Sequence, residues 1–266
     1  MRPVFIIGSP RSGTSVLTWA LGQHPNLYPL EETVWFGKFH TGSAQAFEIG
    51  SSRAELSQLS AMGIERREFM ESLGRAVDEM IRRHQTWPVA PVSQDRAFAR
   101  ARSPGDPKGR WIDGTPENSF HVEGLDELFP DASFIHLVRE PHLVARSLRQ
   151  FHRIGGRQHT AGEAYRKWVA HVRACLVAEE TLGQGRVLRV LHRDLAAEPE
   201  RVVRACLDFL GEPYAPDCLL PLRERINSSG TDAPPEPEGA VEIEPELLAE
   251  ARAVAAGLFA EAEDAA

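Results

Sequence analysis

Near the amino terminus lies a segment whose residue types suit the capture of an anion: Gly8-Ser9-Pro10-Arg11-Ser12-Gly13-Thr14-Ser15. The apolar residues 4–7 before it read as a buried strand, and residues 12–21 can continue as a helix. A loop between a strand and a helix amino terminus points its amides inward, and the helix dipole adds partial positive charge. Gly8 and Gly13 let the backbone approach a ligand closely. Ser12, Thr14 and Ser15 add hydroxyl donors, and Arg11 adds a fixed cation suited to a phosphate. The spacing is that of the phosphate loop G-x-x-x-x-G-K-[ST], but Thr14 stands in place of the lysine. A nucleoside triphosphatase also wants an acidic residue at the end of a neighbouring strand to organise Mg²⁺. Here the strand expected over residues 134–138 ends in Arg139, a cation that wants an anion rather than a metal. The pattern describes a nucleotide-type site that works without Mg²⁺.

Other candidate chemistry is thinner. The chain has ten histidines, and no pair shows metal-ligand spacing. His136 falls inside a buried strand and reads as a satisfied core residue. His152 and His159 flank Gly155-Gly156, where they could line an entrance. Cys175, Cys206 and Cys218 are too few and too scattered for a disulfide framework or a zinc site.

Taken together, these segments resemble the sulfotransferases that use 3′-phosphoadenosine 5′-phosphosulfate (PAPS). Ile7 to Ser15 is similar to that family's 5′-phosphosulfate loop, in the arginine variant of tyrosylprotein sulfotransferases and many bacterial members. Phe129-Pro130-Asp131-Ala132-Ser133-Phe134-Ile135-His136-Leu137-Val138-Arg139-Glu140-Pro141, running on to Val144-Ala145-Arg146-Ser147-Leu148, is similar to the 3′-phosphate element. The resemblance implies that Arg139 and Ser147 bind the 3′-phosphate, and that Arg11, Ser12, Gly13, Thr14 and Ser15 bind the 5′ end. Val190-Leu191-His192-Arg193-Asp194-Leu195 resembles a third family segment, with His192 where relatives commonly carry a tyrosine near the adenine. Arg225-Ile226-Asn227-Ser228-Ser229 resembles a late loop whose serines, Ser228 and Ser229 here, close on the donor. The expected reaction is sulfuryl transfer from PAPS to the hydroxyl of a small-molecule acceptor.

Such a transfer needs an in-line acceptor oxygen, a base for its proton and positive charge on the leaving phosphate. Arg11 and the loop amides suit the last role. Leu30-Glu31-Glu32-Thr33 resembles the acidic pair of tyrosylprotein sulfotransferases, which implies Glu32 as the base. Asp113, in Trp111-Ile112-Asp113-Gly114-Thr115-Pro116-Glu117-Asn118, is the rival. Family members often carry a lysine where this chain has Gly114. The missing charge is expected from Lys108, Arg110 or Lys38, or from the substrate.

The elements that must position these residues alternate between strand and helix. Strands are expected over residues 4–7, 26–30, 110–113, 134–138 and 187–191. Helices are expected over 12–21, 65–84, 120–129, 142–152, 161–182, 199–210 and 246–260. The helix over 65–84 places Phe69, Leu73, Val77 and Met80 on one side. This order predicts an α/β class with a parallel sheet flanked by helices, a P-loop-like fold. The expected domain covers residues 1–230, with residues 35–110 as an acceptor-side insertion and 86–110 within it as a long loop. Residues 231–266 form an acidic end, either a flexible tail or a packed arm.

Composition sets outer limits. The chain has 266 residues, a net charge of −8 and 42% hydrophobic residues, ordinary values for a globular protein with its own core. The acidic balance argues against a bulk nucleic-acid binder and leaves room for a local basic pocket. No stretch approaches the ~18 apolar residues of a membrane span, no signal peptide is visible, and a cytoplasmic setting is the default. Two other functions fit the loop alone: a nucleotide kinase with a degenerate phosphate loop, and a non-catalytic module for phosphorylated ligands. Oligomeric state is open.

Overall fold

The computed structural model describes residues 2–85, 108–150, 159–223 and 243–260. The expected loop over 86–110 lies almost wholly outside them, as do His152, the Gly155-Gly156 pair, Ser228 and Ser229.

Strand β1 (Val4–Ile7) is buried along its whole length, and its side chains divide by parity. Val4 and Ile6 enter one core cluster, Phe5 and Ile7 the other. That two-sided burial is why the run is apolar without alternation, as expected of a central parallel strand. The sheet also contains β2 (Leu27–Pro29), β3 (Arg110–Asp113), β4 (Ser133–Val138) and β5 (Val187–Leu191). Its order is β2-β3-β1-β4-β5, and every pairing is parallel. The chain passes from β1 outward to one side and later returns to the other, so the topological switch lies at the carboxyl end of β1.

One face of the sheet packs against α1 (Thr14–Leu21) and a late helix, numbered α9 (Pro199–Leu210), through Leu17, Leu21, Val203 and Leu207. The other face carries α2 (Phe36–Ser51), α4 (Arg66–Arg83) and α5 (Val122–Leu128), with the short α3 (Gln58–Ala61) between α2 and α4. Phe5, Phe36, Trp111 and Phe129 interlock there, their ring centroids 5.4–6.0 Å apart. A third cluster joins α6 (Pro141–Gln150), α7 (Ala161–Leu182) and α10 (Pro245–Ala260). The short helix α8 (His192–Ala197) follows β5 directly.

The acidic end of the chain therefore includes a packed helix. Leu247, Ala251 and Leu258 of α10 are buried in that third cluster, and Glu244 and Glu250 pair with Arg166 and Arg173 of α7. Helix α4 departs from the expected face. Its buried residues are Met70, Gly74, Val77 and Asp78, while Met80 is 48% exposed. Gly74 decides this rotation: a Cβ there would collide with the Leu128 carbonyl, so α4 lies close against the end of α5. Asp78 is drawn in as the acceptor of the Trp111 indole N–H at 3.0 Å.

Candidate functional site

The anion loop leaves β1 under tight constraint. Gly8 has φ +153°, and a Cβ there would meet the Leu137 carbonyl of β4 at 2.5 Å. Its amide donates to Ser119 Oγ at 3.0 Å, and that hydroxyl donates back to the Gly8 carbonyl at 3.3 Å. Arg11 adopts φ +69°, a left-handed conformation rare for a residue with a side chain. Gly13 has φ +99° and lies against the His192 ring. No side chain caps α1, so its first-turn amides lack the partner that a capping residue would supply.

The 5′ loop and the expected 3′ element meet as one cluster. Arg11 Nε donates to Ser147 Oγ at 3.0 Å, and Arg139 Nη1 donates to the Arg11 carbonyl at 2.9 Å. Trp168 on α7 fixes the end of β4 by donating its indole N–H to the Arg139 carbonyl at 2.9 Å. Two polar atoms in this cluster, Ser12 Oγ and Arg139 Nε, are buried without a hydrogen-bond partner among the described residues. Native proteins rarely leave such atoms unsatisfied without a use for them. Burial pushes the pKa of both Arg11 and Arg139 down; Glu140 supports the charge on Arg139 while Arg146 and Arg11 lower it further, and Glu32 supports the charge on Arg11. An arriving anion relieves both penalties. Burial, and then the Arg139 cation, push His192 down to about 4, so its imidazole beside Gly13 is neutral at pH 7.

Facing the loop, the segment before α2 carries Glu31 and Glu32, both exposed. Thr33, the next residue, is buried and anchored to β3. Its amide donates to Thr115 Oγ1 at 2.6 Å, and its hydroxyl donates to Asp113 Oδ2. Asp113 is fully buried. It also accepts from the Thr115 amide at 3.0 Å, the Thr115 hydroxyl at 2.6 Å and the Asn118 amide group at 2.7 Å. Burial raises its pKa against the opposing pull of those donors.

Comparison with known proteins then decides the family. A model of the sulfotransferase family matches residues 3–216. The chain belongs to the sulfotransferase family. A protein of Aquifex aeolicus with no assigned role is 27% identical over 231 residues, 85% of this chain and 26% of that protein. The protein-tyrosine sulfotransferase of Drosophila melanogaster is 24% identical over 229 residues, 85% of this chain and 41% of that enzyme. The chain thus spans between a quarter and a half of the length of these relatives. Among solved structures, the sulfotransferase domain of the Synechococcus PCC 7002 olefin synthase has 27% identity and a TM-score of 0.55. That match covers 95% of this chain and 87% of that domain.

Within this sulfotransferase fold, Arg11, Ser12, Gly13, Thr14, Ser15, Arg139, Ser147 and His192 all surround the carboxyl end of β1 and β4, with Glu32 opposite Arg11. Asp113 stands apart from them. It has no exposed surface, and four donors occupy its two oxygens. Glu32, the other candidate base, is exposed.

The missing lysine also receives a physical account. A Cβ on Gly114 would overlap Thr18 Oγ1, and Thr18 is tied to the Thr14 carbonyl at 2.9 Å. Neither Lys108 nor Arg110 replaces it, because both belong to the opposite end of β3. Lys108 Nζ donates to the carbonyls of Gly22, His24 and Leu27. Arg110 donates to the carbonyls of Arg2 and Leu210 and to Glu212. Lys38 is exposed on α2.

Sequence reasoning passed over Thr33, Ser119 and Trp168. Thr33 and Ser119 are short polar residues beside a motif, and only their burial distinguishes them from surface hydroxyls. Trp168 carries an ordinary helix-face signal, and nothing local announces its bond to the end of β4.

Proposed function

We propose that this sulfotransferase moves the sulfuryl group of PAPS to the hydroxyl of a small-molecule acceptor by metal-independent in-line transfer. The observation that carries the reading is the Arg11–Ser147–Arg139 cluster, with Ser12 Oγ and Arg139 Nε left over as buried donors. A ligand with phosphates at two positions, 5′ and 3′ on one nucleoside, suits a cluster built from two separate phosphate elements. Arg11, Ser12, Gly13, Thr14 and Ser15 hold the 5′-phosphosulfate, and Arg139 and Ser147 hold the 3′-phosphate. The neutral His192 ring stacks beside the adenine.

In the reaction, Glu32 takes the acceptor proton while the acceptor oxygen bonds to sulfur. The bond between sulfur and the 5′-phosphate oxygen breaks, and 3′-phosphoadenosine 5′-phosphate (PAP) leaves with its new charge against Arg11 and the α1 amides. Where a triphosphatase presents an acid to Mg²⁺, β4 delivers Arg139, so the 3′-phosphate of the donor meets guanidinium. The three buried free cysteines suit a reducing, cytoplasmic setting.

Calorimetric titration with PAP tests the reading. Binding that is unaffected by Mg²⁺ is expected. A folded sample that ignores PAP and binds ATP only with Mg²⁺ would replace this function with that of a nucleotide kinase.

A further inference from the structure

Glu32 lies on an exposed segment, yet the backbone on both sides of it is fastened to the sheet. Before it, the Leu30 amide donates to the Ile112 carbonyl of β3 at 2.8 Å. After it, Thr33 gives its amide to Thr115 and its hydroxyl to Asp113. The same Asp113 carboxylate gathers Thr115 and Asn118. Asn118 adjoins Ser119, whose hydroxyl braces both the amide and the carbonyl of Gly8. A single buried carboxylate at the end of β3 therefore links the segment bearing Glu32 to the turn that braces the first residue of the donor loop. The exposed glutamate thereby gains a fixed backbone origin, and in-line transfer depends on the placement of base, acceptor oxygen and sulfur.

We propose that Asp113, acting through Thr33, is a positioning residue that fixes Glu32 relative to the Gly8 to Ser15 loop. The proposal rests on the reading of Glu32 as the base. It turns the rival acid into a part of the machinery: Asp113 never exchanges a proton with the acceptor, and its four bonds set where the exchanging carboxylate stands. Every group that faces Asp113 in these bonds is a donor, so the carboxylate form satisfies all of them at once.

Thr33→Val tests this with little change in shape, and Thr33→Ser restores the hydroxyl. Transfer from PAPS to 2-naphthol in Thr33→Val should fall in kcat by roughly 10- to 100-fold, while PAP affinity stays within about twofold of the wild type. Thr33→Ser should recover most of the rate. In a Glu32→Gln background, Thr33→Val should cost nothing further, because the residue acts only through the carboxylate already removed. A wild-type kcat in Thr33→Val beside an inactive Glu32→Gln overturns the positioning role, and so does a full additional loss in the double variant. Wild-type turnover by Glu32→Gln sinks the assignment of the base itself, and the positioning role with it. Hydrogen exchange supplies an arm that needs no acceptor. The amides of residues 30–33 should exchange about tenfold faster or more in Thr33→Val, with residues 8–15 unchanged; equal protection in variant and wild type overturns the proposal.

Discussion

The two ends of the sheet both hold arginines, and they treat them in opposite ways. At the amino end, Arg110 is sunk among the carbonyls of Arg2 and Leu210 and the Glu212 carboxylate. Lys108 nearby is closed off by three carbonyls, although burial still draws its pKa down to about 8. At the carboxyl end, Arg139 donates to one carbonyl, its Nε has no partner among the described residues, and Glu140 supports its charge while Arg146 and Arg11 oppose it. Each guanidinium keeps one buried nitrogen without a partner among the described residues, Nη2 of Arg110 and Nε of Arg139, so the contrast lies in the rest of each group: two carbonyls and a carboxylate for Arg110, a single carbonyl for Arg139. A buried cation without its acceptors costs stability, and a bound anion recovers that cost.

The largest effect that could break this contrast is on stability. Arg110→Ala leaves Glu212 with Asn26 but without its cation and takes the donor from two carbonyls, and should lower the unfolding free energy in urea by about 3 kcal/mol. Arg139→Ala should leave the urea midpoint near that of the wild type and weaken PAP binding by roughly 10- to 100-fold, about 1.5–3 kcal/mol. If Arg139→Ala unfolds the protein while Arg110→Ala spares it and abolishes PAP binding, the two ends have been assigned the wrong way round.

Next comes the position where relatives often carry a lysine. Gly114→Ala forces a methyl group against Thr18 and should cost about 1–3 kcal/mol in thermal or urea unfolding. A neutral Gly114→Ala, or a Gly114→Lys variant that folds normally and turns over faster, would show that the carboxyl end has room for a further cation.

The smallest effect concerns a third pattern, a cation behind the site that is paired through one nitrogen, its Nε2 having no partner among the described residues. His136 on β4 shares Glu179 with Arg189. Burial opposes the charge on His136, but Cys175 and Glu179 outweigh it and hold its pKa at about 9. Burial likewise opposes ionisation of Glu179, and His136 and Arg189 hold it at about 2. A raised histidine stabilises the fold fully below its unfolded pKa of 6.5 and loses that contribution as pH rises through about 9. A depressed glutamate stabilises above 4.5 and loses its share as pH falls toward about 2. The melting temperature should therefore peak between these two windows, and His136→Gln should flatten the alkaline limb by on the order of 2 kcal/mol. An unchanged alkaline limb would mean that His136 is neutral in the fold.

Much of this arrangement was legible in the residues alone. The apolar run of β1, the Gly8 to Ser15 loop and Arg139 at the end of the next buried run announce an anion site on an α/β sheet. Strand and helix periods are local, and so is a glycine's freedom at Gly8 or Gly13. The helix over residues 161–182 was readable for the same reason. What the chain order could not express is which partner a side chain meets from far away. Asp113 and Glu32 are both acids beside a loop. Thr33 and Thr115, brought from opposite sides of the long 86–107 stretch, seal the first and leave the second exposed. Arg110 and Arg139 are both arginines bordering strands, and only the carbonyls gathered at one end distinguish them. The sequence by itself determined the strand-loop-helix order and the residue types of the Gly8 to Ser15 loop, which are those that suit an anion. The tertiary structure decided which cations gather at that loop, which carboxylate is sealed and which stays exposed, and why Gly114 has no room for a lysine, because each depends on desolvation and on contacts between segments distant in the chain.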